Sequence, residues 1–477
     1  MKSYTRIAVS AVAVMAVSLH AVAQDQATDA TFRAGAATAD ITPWFGLSIA
    51  GHMRDRSVSY IHDELHVRSL VLDDGETVLG FAIVDSCMVP RHVFDGAKSL
   101  IEQRDGIPAT NLLMAATHTH SAACATPVFQ SDPDPEYQRF LVRRIADAVS
   151  LALQNRRPAQ LAWGRAHAPE HVFNRRWFME EGHMPDNPFG EKDTVKMNPP
   201  RGSEALIEPA GPTDPGVPFF AVQTNDGRPI ALLANYALHY VGGTGGGGHV
   251  SADYFGMFAN TVAAQLDPGD ENPPFVAMLT NGASGDINNI DFREPAPSRK
   301  PYEQMRYVAE DVAGKILDEY KGLNWRDWVP LAAAQEEISL GVRKPTDEQL
   351  EWAETTLAGA GPDLTTLPEI YARETRLLAD YPAQVGVLLQ TLQIGDLAIA
   401  AIPCEVFVEI GLEIKGESRH PMTMLIELAN GYNGYLPTPK HHELGGYETW
   451  RARSSYLVPH ASEMITKTLL SLLSTLE

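Results

Sequence analysis

The reading of the whole chain starts from Asn111-Leu112-Leu113-Met114-Ala115-Ala116-Thr117-His118-Thr119-His120-Ser121. A short apolar run breaks directly into small polar residues and two histidines. Such a run, bounded on both sides, reads as a buried strand. On an extended backbone, side chains two apart share a face. His118 and His120 therefore project together from a strand end, as a metal or proton-transfer pair or simply as a polar strand terminus.

Working outward, the pattern of strands and helices repeats. Before this stretch, Ser69–Leu72 and Val78–Val84 flank Asp74-Gly75, a hairpin signal, and His92–Gln103 reads as a helix. After it, Glu136–Gln154 is helical and Gln160–Trp163 is a strand. Phe219–Thr224 and Pro229–Tyr236 form a second hairpin, followed by a helix over Tyr254–Leu266 and a strand over Pro274–Leu279. Tyr302–Tyr320, Asp347–Leu357 and Leu367–Leu378 read as helices. A third hairpin spans Gly386–Ile394 and Leu397–Ile402, before a helix (Val406–Lys415), a strand (Thr423–Leu428) and a last helix (Pro459–Leu473). Residues 180–215 are rich in Pro, Gly, Asp and Asn and read as a long loop, either a lid or binding loop or an insertion without a role. No internal repeat is visible. The expected fold is one large α/β unit of mixed β-sheets flanked by helices.

Several apolar strands end in chemistry-bearing residues. Asn235-Tyr236-Ala237-Leu238-His239 leads into a glycine run and His249. The strand to Leu279 leads into Gly285-Asp286-Ile287-Asn288-Asn289, and Ile402-Pro403 into Cys404-Glu405. Asn430-Gly431-Tyr432-Asn433-Gly434-Tyr435 and Gly446-Tyr447-Glu448 follow the next strand. Ligand sites in α/β proteins gather beyond the carboxyl ends of strands. Two histidines and a carboxylate form a common catalytic zinc set, so the residues point to a zinc hydrolase. Each segment also reads as an ordinary turn or loop.

Composition narrows the classes. The 477 residues carry 38 Lys plus Arg against 60 Asp plus Glu, a net charge of −22. That balance argues against nucleic acid or an anionic membrane as a partner. Apolar residues at 44% support a packed core. Lys2 and Arg6, an uncharged apolar run over 7–19 and Ala21-Val22-Ala23 form a secretory signal pattern, residues 1–23. The run is too short to span a bilayer, no other segment is a transmembrane candidate, and a periplasmic or secreted protein of residues 24–477 is expected. Three cysteines, Cys87, Cys124 and Cys404, are too few for a disulfide scaffold and read as small buried hydrophobes.

The ordered landmarks, from Ala34-Gly35 and Asp40-Ile41-Thr42-Pro43 to Tyr447-Glu448, resemble the catalytic domain of the neutral, non-lysosomal ceramidase family. The resemblance implies a zinc ion (Zn2+) held by His118, His239, Glu405 and Tyr435. It implies His120 and Tyr447 at the substrate carbonyl and Arg175, from Phe173-Asn174-Arg175, as a substrate contact. Asp286, Asn288 and His249 are expected to line the substrate pocket. Two departures stand out. The family's C-terminal immunoglobulin-like domain has no counterpart, and Asn288 stands where the family motif has Ser, which excludes a serine nucleophile there. Cys124 and Cys404 lie near the mapped ligands, so a bond between them is an alternative to three free thiols.

The resemblance therefore implies cleavage of an N-acyl amide by zinc-activated water. The polar 180–215 loop favours an alternative, an esterase or lactonase acting on a polar, carbohydrate-derived substrate. A non-catalytic binding protein on the same fold is the third reading. In the first two the partner is a small-molecule amide or ester.

Overall fold

The computed structural model describes residues 31–266, 272–361 and 363–476, together with Met1. The signal pattern over 2–23 lies outside the described residues. The architecture is mixed α/β, and one motif accounts for most of it. Strands β1 (Arg33–Asp40), β2 (His66–Asp73) and β3 (Val78–Val84) form an antiparallel meander. Helix α1 (Arg91–Asp105) crosses over to β4 (Leu112–Ala116), which lies parallel to β3, and α2 (Pro135–Gln154) follows.

The same β-β-β-α-β-α order then recurs. The second unit is β5 (Arg157–His167), β6 (Gly216–Thr224), β7 (Pro229–Tyr236), α3 (Asp253–Leu266), β8 (Val276–Asn281) and α4 (Glu303–Tyr320). In the third, β9 (Leu331–Gly341) is followed by α5 (Asp347–Ala358) and α6 (Leu367–Ala379). It continues with β10 (Gln384–Ile394), β11 (Leu397–Ala401), α7 (Val408–Glu417) and β12 (Met422–Ile426). A short α8 (Pro439–Leu444) precedes the closing α9 (Ala461–Ser474). In every unit the first three strands are antiparallel and the fourth is parallel to the third. The expectation of no internal repeat is thus corrected. The repeat is one of topology, and such a motif asks only for buried strands and amphipathic helices, which unlike sequences supply equally well.

The first two units share an eight-stranded sheet, joined where β1 and β5 pair over Arg33 and Ala34, while the third forms its own sheet of four. All three contribute to one core: Phe81 and Leu113 from the first, Phe220, Leu233 and Met278 from the second, Leu392, Ile399 and Met424 from the third. Each unit's helices cover its outer face, with separate cores beneath α1 and α2, α3 and α4, and α7 and α9.

Local chemistry explains several boundaries. Asp134 caps α2 by accepting from the backbone N–H of Glu136 and Tyr137, with Pro135 at the first helical position. Thr346 with Gln349 and Thr366 with Glu369 form capping boxes on α5 and α6. Two strands escape a sequence reading. β1 is rich in alanine and β9 carries Gln335-Glu336-Glu337, so neither shows an apolar run. The 180–215 segment also holds two short strands, Val195–Met197 and Leu206–Pro209, paired with Arg176–Met179. The second contains a register shift, which erases the alternation that would reveal it.

This topology positions the site. In an antiparallel meander with a parallel fourth strand, the link from the first to the second strand lies at the same end as the exits of the third and fourth. The segments 41–65 and 117–134, 168–215 and 282–302, 342–383 and 427–460 therefore crowd the same end of their respective sheets.

Candidate metal centre and its cleft

Each unit sends one side chain to a common point. His118 follows β4, His239 follows β7 and Glu405 follows β11. The His118 and His239 Nε2 atoms stand 3.0 Å apart. Glu405 Oε2 is 3.2 Å from the first and 3.9 Å from the second. All three residues are buried.

His118 adopts a left-handed backbone, φ 76°, immediately after β4. That conformation costs a β-carbon-bearing residue about 1–3 kcal/mol. The Ser86 carbonyl stabilises it by accepting from the His118 N–H at 2.8 Å. The result turns the ring so that Nδ1 lies 2.7 Å from the Cys87 carbonyl. His239 Nδ1 lies 3.1 Å from the Ser284 carbonyl. A carbonyl only accepts, so both rings carry their proton on Nδ1 and direct a bare Nε2 lone pair inward. Two lone pairs at 3.0 Å repel. Glu405 Oε2, buried beside them, has no hydrogen bond. Two neutral imidazoles and an orphaned carboxylate oxygen facing one point are the donor set a divalent cation with tetrahedral preference takes. The residues fit zinc.

Protonation favours the same reading. Burial pushes His239 well below the ordinary histidine range, and neighbouring His118 and Arg175 add to it. Burial, then His118, does the same to His120. Burial raises the Glu405 carboxyl, but His118, Tyr435 and Arg175 outweigh it and leave it below its ordinary value. Glu405 Oε1 accepts from the Tyr432 hydroxyl at 2.9 Å.

Glu405 and Tyr435 sit side by side because their short strands pair in parallel, Glu405 opposite Tyr435. The backbone passes close here: a β-carbon on Gly285 would lie 2.7 Å from the Glu405 carbonyl, so only glycine fits. The Tyr435 hydroxyl accepts from Arg175 Nη2 at 3.1 Å. Arg175 also donates to Glu448 Oε1 at 2.9 Å and to the Gly285 carbonyl at 2.7 Å. Arg176 completes the arrangement, donating to Glu448 Oε2 at 2.6 Å. Arg175 is thus surrounded by protein and supports the Tyr435 oxygen.

His120 places Nε2 3.2 Å from His118 Nε2 and stacks on Tyr240 with ring centres 3.6 Å apart. Together with Tyr447, Tyr432, Gly51, His52, Met53, Met88 and Phe129 it lines a narrow cleft of about 50 Å³ above the cluster. A second cavity of about 190 Å³ shares the Met53 and Tyr447 walls. Tyr447 stands 5.7 Å from the Tyr435 ring, and burial keeps its phenol protonated.

The remaining expected pocket residues are placed elsewhere. Both Asp286 oxygens are engaged inside the protein, one accepting from the Val408 N–H that opens α7 and the other from Asn174 Nδ2. Asn288 donates to Asn198 at 3.2 Å, and His249 contacts the Tyr302 hydroxyl and leans on Tyr60. None of the three lines the cleft over the cluster. Cys87, Cys124 and Cys404 are buried free thiols, so the Cys124–Cys404 alternative is not realised. A sequence reading gives no signal for His52 or Arg176 and assigns no role in the site to Cys87, Tyr432 or Glu448, whose roles arise from contacts between distant segments. A further group, Glu170, His171 and Asp311, already holds the Lys315 ammonium on both carboxylates.

Comparison with known proteins gives the family and the fold. Residues 32–291 match the family model described as neutral/alkaline non-lysosomal ceramidase, N-terminal, which is more than half of the chain. The chain belongs to this family and is a ceramidase-like hydrolase. Its fold is similar to that of the crystal structure of neutral ceramidase from Pseudomonas aeruginosa, with TM-score 0.70 and 17% identity, covering 94% of this chain and 75% of that one. A structure of a ceramidase complexed with C2 gives TM-score 0.71 and 14% identity over the same shares. No curated protein matches the chain. No helix among the described residues is long and apolar enough to cross a membrane.

Proposed function

We propose that this chain is an exported, zinc-dependent hydrolase that cleaves an N-acyl amide. The observation that carries the reading is the convergence of two bare Nε2 atoms and an unbonded carboxylate oxygen beneath a cleft. His118, His239, Glu405 and Tyr435 would hold the ion. When bound, zinc lowers the pKa of a coordinated water towards neutrality and polarises a carbonyl.

The protein's own groups supply the rest. Tyr447, protonated at neutral pH, donates a hydrogen bond to the carbonyl oxygen as charge develops there. Neutral His120, stacked on Tyr240, takes up a proton and passes it to the leaving nitrogen. Arg175 holds the Tyr435 hydroxyl, and Met53, Met88 and Phe129 restrict water. The signal pattern over 1–23 supports export to a periplasm or beyond.

The charged 180–215 segment favours a second reading in which the scissile bond is an ester or lactone on a polar substrate. One experiment tests both. Metal content is measured on the purified mature protein, and cleavage of an N-acyl sphingoid amide and a simple ester is followed before and after chelation. About one zinc per chain with chelator-sensitive amide cleavage supports the proposal. Ester cleavage alone supports the second reading. A protein that neither holds nor takes up zinc overturns both.

A further inference from the structure

The second cavity has a composition unlike a pure lipid channel. Met53, Met184, Pro185, Val195, Met197, Leu367 and Trp450 give it an apolar lining, yet three charged residues share the wall. Two of them are engaged. Asp186 pairs with Lys192 at 2.8 Å, and Asp193 accepts from Trp450 Nε1 at 2.7 Å and from Asn187 Nδ2 at 3.2 Å. The third is Lys196. It lies on the short strand Val195–Met197, half-buried, and among the described residues no carboxylate lies within ion-pair distance of its ammonium. The chain carries an excess of 22 acidic groups, so an unpaired ammonium in an apolar cavity is conspicuous. Half-buried against apolar walls, it can offer a carboxylate a charge-assisted contact.

The cavity adjoins the cleft over the metal centre, since Met53 and Tyr447 line both spaces. About 190 Å³ admits a short aliphatic or aromatic group, not an entire lipid. We infer that this cavity is a substrate subsite in which Lys196 binds a carboxylate at the end of a short apolar arm, so that the substrate is an anionic amide. The inference rests on the proposed amide hydrolysis and names its substrate class.

The test uses the purified zinc-loaded protein and two matched pairs of substrates. An N-acylglycine against the N-acylethanolamine of equal chain length places the carboxylate on the amine side. A glutaryl anilide against a valeryl anilide places it on the acyl side. The carboxylate member of at least one pair is expected to have the higher kcat/KM, by about tenfold or more. Lys196→Met, in a cavity already lined by methionine, should abolish that preference through KM with kcat unchanged, and Lys196→Arg should retain it. Equal rates within both pairs, or a preference that survives Lys196→Met, would overturn the assignment. Calorimetric binding of N-lauroylglycine to the chelator-treated protein separates the two readings. If no amide is cleaved, the hydrolysis proposal falls, while tighter binding to wild type than to Lys196→Met still supports the subsite and equal binding removes it.

Discussion

His118 and His239 direct their Nε2 atoms at each other across 3.0 Å while both Nδ1 atoms face backbone carbonyls. The two rings can share a proton only if one of them becomes an imidazolium, which burial opposes at His239. The arrangement is relieved when a cation accepts both lone pairs. Zinc should therefore raise the thermal midpoint, and His118→Ala and His239→Ala should lose bound metal and activity together. Metal analysis and melting curves with and without a chelator check this. A variant that loses its metal yet keeps full activity would refute the assignment.

Tyr447→Phe removes one hydroxyl from the cleft and leaves the ligands in place. Zinc content should stay unchanged while kcat falls by roughly two orders of magnitude, the usual loss for an oxyanion donor. Single-turnover kinetics on the zinc-loaded variant decide the point, and an unaltered rate excludes Tyr447 from the reaction.

Glu448 bridges Arg175 and Arg176 out of contact with water. Removing its charge by Glu448→Gln leaves two buried guanidinium groups without a carboxylate, a loss of about 3–5 kcal/mol. Burial alone raises the Glu448 carboxyl, but Arg176 and Arg175 outweigh it and hold it below its ordinary value of 4.5. A depressed acid stabilises above its unfolded pKa and loses that stabilisation as pH falls through its folded one. Urea midpoints of wild type and variant should differ by a constant amount above about pH 5 and converge in stronger acid. A gap that widens on acidification would contradict the ion pair.

The three thiols are inert by burial. Burial pushes the Cys124 thiol up to about 12, and Cys87 and Cys404 well above their ordinary range. A disulfide-exchange reagent at mildly alkaline pH should titrate none of them in the native protein and all three in guanidinium. Fewer than three in the unfolded, unreduced protein would reveal a bond.

The parts of this molecule written locally are legible in the sequence. The hairpin over 66–84 and the strand before His118 follow from apolar runs and Asp-Gly chemistry. What is written across the chain is not. Arg176 and Glu448 are 272 residues apart, and neither neighbourhood announces a partner. Asp286 sits in a loop that suits a pocket, yet its carboxylate is spent on opening α7 and on Asn174. His249, Asn288 and Asp286 all satisfy the pattern of polar residues beyond a strand. That pattern selects the correct end of each sheet but not which side chains point at the ligand. Lys196 belongs to a segment without periodicity, and only its position beside Trp450 and Met53 gives it meaning.

The threefold recurrence of one topology has a consequence for how activity arises. The cluster works as a quorum, with one vote from each unit: His118, His239 and Glu405 are separated by more than a hundred residues at each step. The first unit holds a donor group of its own, Cys87, His118 and His120, but the set of His118, His239 and Glu405 is complete only when all three units are in place. Capture of an ion on this particular set would therefore report that the whole chain has assembled.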